Sequence, residues 1–243
     1  MKQYTSAIIF GIAIITSSVF LGKAYKDRAK TDGEIRVTGL GKTDFTSDLI
    51  VWDGKFGTQD IDLKKAYSTL EKNKSTVTEY LTNKGIKDQQ LVYSAVKTDK
   101  KYKRLYSNDG DFIGEEFVGY ELTQTVQISS SEVYKVEKIS REITELLNQG
   151  VQFYSQAPRY YYTKLADLKI KMISKATEDA RLRAEKISEF SGGKLDKLES
   201  AKMGIFQITG QNSKENHSWG GTFNTTSREK TASITMKLTY SIK

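Results

Sequence analysis

Three clusters in this sequence hold side chains able to do chemistry. The first is His217, Trp219 and Asn224, within a polar stretch over residues 210–228. An imidazole near an indole and a carboxamide suits ligand recognition or a pore lining. His217 is the one histidine in the chain, so a Ser-His-Asp hydrolase would have to use it. The second cluster is Lys97, Lys100, Lys101, Lys103 and Arg104, interleaved with Tyr102 and Tyr106. Such a run suits an anionic surface, either acidic lipid headgroups or an envelope polymer. The third follows at once, with Asn108, Asp109, Asp111, Glu115 and Glu116 around Gly110. Bunched oxygen donors suggest a calcium loop, but the full alternation and the distal bidentate glutamate are missing, so no metal is expected.

Each cluster also has a plainer reading, which is the one preferred. The 210–228 stretch is longer than an ordinary hairpin and is expected to be mobile or to form an assembly contact. The basic run reads as a solvated hairpin tip. Tyr160, Tyr161 and Tyr162 after Arg159 could stack on sugars, but at a strand–helix junction they read as rim packing or a subunit contact. Paired carboxylates could still do acid–base work without histidine, which leaves an envelope hydrolase or ligand-binding protein as the alternative.

Composition narrows the classes further. With 243 residues, 37% hydrophobic and one proline, the chain is globular. The absence of cysteine excludes disulfides, thiolate metal sites, a cysteine nucleophile and a lipidated cysteine. Half of the formal charge of +8 sits in the first thirty residues, and the mild remaining excess argues against a nucleic-acid partner.

Residues 5–22 are uncharged and largely apolar, and Gly22-Lys23-Ala24 is a poor cleavage site, so an uncleaved signal anchor is expected over residues 1–30. Lys23, Lys26, Arg28 and Lys30 outweigh Lys2, so the positive-inside rule would leave the body cytoplasmic. A short anchor that exports a whole domain can override that bias, and an extracytoplasmic body is the reading adopted. Release into the periplasm after cleavage is the alternative.

The rest, residues 31–243, reads as β-β-α-β-β-α-β-α-β-β, an α+β domain with mainly antiparallel sheet and helices on one face. Gly39-Leu40-Gly41 lacks the third glycine of a dinucleotide loop and reads as a bulge or turn. Trp52 is expected in a core or interface. Asp60 is the expected cap of the first domain helix, and Ser129 with Glu132 the expected capping box of the next. Glycines at 85, 150 and 192 end the three helices. The strongest periodic signal is Leu165, Leu168, Met172, Ile173, Ala176, Ala180, Ala184, Ile187 and Phe190, one stripe along a helix. Within it Ala176, Ala180 and Ala184 form a ridge that lets another backbone approach closely, from a strand or a neighbouring subunit. Glu178 with Arg181 and Asp179 with Arg183 are expected pairs on its polar face.

Four pieces together resemble the SIMPL-domain family of bacterial envelope proteins. They are Ile35-Arg36-Val37-Thr38-Gly39-Leu40-Gly41; Gly85-Ile86 with Leu91; Gly119-Tyr120-Glu121-Leu122 with Gly150-Val151; and the alanine helix running into Met203-Gly204-Ile205-Phe206-Gln207-Ile208. They span residues 33–243. Ser47-Asp48 departs from the family, which often has proline before that aspartate. The resemblance implies an exported α+β domain forming ring-like homo-oligomers, with no established reaction. The expectation is therefore a membrane-anchored, self-assembling, non-enzymatic envelope protein, with no cofactor, metal or catalytic residue assigned.

Overall fold

The computed structural model describes residues 2–29, 33–215 and 218–243. In chain order the elements are α1 (Lys2–Ala29), β1 (Glu34–Thr46), β2 (Leu49–Asp60), α2 (Leu63–Asn83), β3 (Leu91–Tyr93), β4 (Lys97–Tyr106) and β5 (Phe112–Ser130). They continue with α3 (Val133–Glu142), β6 (Phe153–Ser155), β7 (Arg159–Tyr161), α4 (Leu165–Phe190), β8 (Leu195–Met203), β9 (Gln207–Gly210) and β10 (Glu229–Ile242). The class is α+β, as expected. Three strands were not foreseen: β4, where the hairpin stays paired past Lys100, and the short β7 and β9.

Contacts resolve the chain into two compact units. One comprises Met1–Lys42, Ile170–Ile205 and Ser233–Lys243, and the other Thr43–Lys169 and Phe206–Ala232. The second unit is built on a six-stranded sheet in which β5 and β2 pair antiparallel from Ile50↔Ser130 to Asp60↔Tyr120. Strand alternation sends Ile50, Trp52 and Phe56 of β2, with Leu122, Val126 and Ile128 of β5, to one face. Ala66, Leu70, Val77 and Leu81 of α2 and Val136 and Ile139 of α3 cover them to close a single core. The indole of Trp52 is fully buried, and its Nε1–H donates to Ser155 Oγ at 3.0 Å. Ser155 Oγ donates in turn to Ser140 O of α3 at 2.8 Å.

Local signals decide where the helices begin and end. Asp62, not Asp60, caps α2, accepting from the amides of Lys64 and Lys65, while Asp60 accepts from the Asp62 amide. The expected capping box before α3 does not form. Glu132 makes no side-chain cap bond, and Ser130 Oγ accepts from the Glu132 amide instead. Beyond Glu142 the chain tightens into a 3₁₀ turn, Ile143–Gln149. The stops at Gly85, Gly150 and Gly192 are left-handed as expected, with φ of 83°, 78° and 78°.

In the first unit the sheet order is β1-β10-β8, and β10 runs antiparallel to β8. Gly39 and Gly41 form neither bulge nor turn; they lie mid-strand in β1. A Cβ at Gly39 would meet Ala176 O at 2.1 Å and Ala180 N at 2.4 Å, and one at Gly41 would meet Met172 O at 2.4 Å. The alanine ridge thus receives a strand of the same chain, and the glycines are the matching half of that contact. The α4 stripe departs from expectation at its end. Burial continues in steps of four through Met172, Ala176, Ala180, Ala184 and Ser188, while Ile187 and Phe190 point outward. Asp179 does pair with Arg183 and also accepts the Leu40 amide at 2.8 Å. Arg181 pairs with Glu185, one turn on, and not with Glu178. The helix α1 is long and apolar enough to cross a membrane, and Phe10, Ile14, Ile15, Phe20 and Leu21 are all more than 60% exposed.

Candidate functional site

A set of converging polar groups joins Gln207 of β9 and Lys230 of β10 to the stretch between them, which the sequence marks out as a long loop. Lys230 is only 2% exposed. Its Nζ donates to Asn224 Oδ1 at 3.1 Å and to Asn224 O. Asn224 is buried as well and works in every direction. Its amide donates to Ile208 O at 2.9 Å, its Oδ1 accepts from the Ser227 amide at 2.9 Å, and its Nδ2 donates to Glu215 Oε1 and Thr226 Oγ1. Glu215 accepts further from the Gly210 amide at 2.8 Å. Gln207 ties in the other limb, donating to Ser218 O at 2.8 Å and accepting from the Thr222 amide at 2.6 Å.

Electrostatics follows from that geometry. Burial pushes the Lys230 ammonium down to about 8, with the Glu215 charge opposing. The Gly210 amide, and after it the Asn224 carboxamide, hold the Glu215 carboxyl below the ordinary glutamate range. A lysine so depressed has the chemistry of a nucleophile or general base. Here its nitrogen is turned onto Asn224 and shut away from solvent, so the cluster clamps the loop. Residues 207–215 and 218–230 are therefore organised by buried polar side chains, where the sequence suggested mobility.

Of the sequence-marked residues in this loop, Asn224 is the centre of the clamp. Trp219 is 96% exposed at a turn, and His217 lies outside the described residues. Lys230, Glu215 and Gln207 were not anticipated. A signal for Lys230 existed: the inward alternation of β10, Ile234, Met236, Leu238 and Tyr240, extends backward through Ala232 to position 230.

The basic run lies on β4, and three of its five charges form ion pairs, two of them across to β5. Lys101 Nζ pairs with Glu121 at 2.7 Å, Lys97 with Asp99 at 2.8 Å and Arg104 with Glu115 at 3.6 Å. Lys103 sits opposite Glu116 and Lys100 opposite Tyr120. Residues 97–121 hold five basic against six acidic side chains, so the hairpin has no net positive charge to offer an anion. Its other content is aromatic. Tyr102 meets Phe117 at 5.6 Å, Phe117 meets Tyr120 at 5.1 Å and Tyr106 meets Phe112 at 6.1 Å, all near edge-to-face. Tyr102, Tyr106, Phe112 and Ile113 nevertheless remain more than half exposed. Asn108, Asp109 and Asp111 occupy the turn. Among the described residues no three acidic or histidine side chains are placed to hold a metal ion. Tyr160 is buried in the core, while Tyr161 and Tyr162 are half-buried, Tyr162 against Phe45 at 4.8 Å.

An α+β chain with two helices over an antiparallel sheet, an alanine helix seated on strand glycines and an N-terminal apolar helix defines the class: a membrane-anchor or signal helix joined to a hairpin-rich α+β body. Residues 35–240 match the family model described as SIMPL, protein of unknown function (DUF541). The chain belongs to the SIMPL family. No curated protein matches it significantly.

Proposed function

We propose that the protein is a membrane-anchored scaffold of the cell envelope, exported and non-catalytic, that assembles with further copies of itself through the β4–β5 hairpin. The observation that carries self-association is the aromatic ladder, whose outer members Tyr102, Tyr106 and Phe112 are ordered on paired strands yet exposed, with Ile113 exposed beside them. Exposed aromatics grouped on one rigid element are the composition of an interface core. The exposed apolar surface of α1 supports the anchor. A non-catalytic role is supported by the clamp at Lys230, where the amine, carboxamide and carboxylate are already occupied with one another.

The test is the mass of the full-length chain in detergent, by light scattering or native mass spectrometry. A discrete multiple of 27.5 kDa is expected, falling to the single-chain mass in Y102S/Y106S/F112S. A wild-type chain that stays monomeric at high concentration retires the assembly. Protease accessibility of the body in spheroplasts tests export.

A further inference from the structure

The charge of this protein is divided between its two units in an uneven way. The unit formed by Thr43–Lys169 and Phe206–Ala232 holds 21 Lys and Arg against 21 Asp and Glu. The unit that contains α1 holds 17 against nine, so the whole excess of +8 belongs to it. Within that unit, α4 covers one face of β1-β10-β8 through the glycine and alanine contact, and the other face carries Arg36, Thr38, Lys237 and Thr239. These side chains, with Ser200 and Lys202 of β8, line a shallow trough of about 530 Å³.

One pairing in that trough is unfavourable as it stands. Lys237 lies directly opposite Lys202 across the β10–β8 ladder, and like charges facing each other on neighbouring strands are destabilising. Among the described residues neither lysine has a carboxylate partner. Glu34, at the trough's margin, is engaged with Arg36 at 2.9 Å, and Glu199 is the other acid there. Two facing ammonium groups flanked by hydroxyls of Thr38, Ser200 and Thr239 present the donor set that phosphate oxygens accept from.

We propose that this open face is an electrostatic docking surface for anionic phospholipid headgroups of the membrane in which α1 is anchored. It rests on the membrane-anchor reading above. Chain length supports the choice of lipid: Arg36 is seven residues beyond the end of α1, a tether of at most about 25 Å. Phosphate at the trough relieves the Lys202–Lys237 repulsion, and each basic group close to an anionic surface adds attraction that salt screens.

The experiment places the full-length chain in nanodiscs of phosphatidylcholine alone or with phosphatidylglycerol and follows acylation of individual lysines by a water-soluble reagent. Lys202 and Lys237 should react roughly threefold or more slowly in the anionic discs, regain reactivity at high salt, and contrast with unchanged Lys100 and Lys103. In wild type the β8 amides should also exchange more slowly in anionic discs, and in K202Q/K237Q they should not. Equal labelling in both disc types overturns the proposal. Protection only by added soluble polyphosphate also overturns it, assigning the face to a free polymer. A chain that joins neither kind of disc refutes the anchor reading and this proposal with it; a chain that joins both without lipid-dependent protection refutes the docking surface alone.

Discussion

Substituting Gly39 by alanine gives opposite signs depending on whether the strand–helix contact exists. In an open strand, Gly→Ala stabilises by about 0.4–1 kcal/mol, because the unfolded chain loses freedom. In this structure the added Cβ falls 2.1 Å from Ala176 O, 2.4 Å from Ala180 N and 2.7 Å from Ala180 Cβ. Two of those three atoms are helix backbone, so no side-chain rotation relieves the clash. Moving to ordinary contact needs more than about 1 Å of separation between β1 and α4, which strips packing from a ridge that is wholly buried at Ala176, Ala180 and Ala184. The cost belongs at the top of the overpacking range, about 3 kcal/mol, or roughly 150-fold in the unfolding constant.

Chemical denaturation of the full chain in detergent, followed by far-UV circular dichroism, measures this, with hydrogen exchange of α4 peptides to locate the loss. Ala180→Leu, which fills the same contact from the helix side, should cost about 1–3 kcal/mol. Ala180→Gly should not rescue Gly39→Ala, because the closest atoms remain. A neutral or stabilised Gly39→Ala refutes the argument, and so does rescue by Ala180→Gly.

Two further outcomes follow from the other unit. Lys230 titrates near 8 in the fold against about 10.5 in the open chain, so between those values the unfolded chain holds the extra proton and stability rises with pH, by up to about 3 kcal/mol. Below pH 8 both states are protonated and this contribution is flat; denaturation midpoints from pH 7.5 to 9.5 should climb in wild type and lose that climb in Lys230→Met. Ser155→Ala leaves the Trp52 indole N–H unpaired in the core and should cost about 1–3 kcal/mol, read by denaturation together with a shift in Trp52 emission.

The residues that periodicity marks out show which parts of the fold are local properties. Alternation along β10 and the left-handed glycines at 85, 150 and 192 lie within a few residues of what they control, and the sequence reading matches the structure there. Caps are local too, yet Asp60 and Asp62 compete two residues apart, and backbone direction rather than residue type selects Asp62. The ends of the α4 stripe fail for a related reason. Ile187 is the more apolar residue, but a helix whose neighbours are glycines buries what lies at steps of four, and that falls on Ser188.

Sequence by itself determined the apolar N-terminal helix, the α+β class, the family and the small-residue ridge, since each is written in composition, spacing or ordered motifs. Tertiary structure alone decided what the ridge meets, which charges are spent and which are left over. Gly39 and Ala180 are 141 positions apart, and Lys103 faces Glu116 only because the hairpin register sets it there. Lys202 and Lys237 look alike in sequence to the lysines of β4. Which of them have carboxylates within reach depends on neighbouring strands, and short-range charge interactions act through space rather than along the chain.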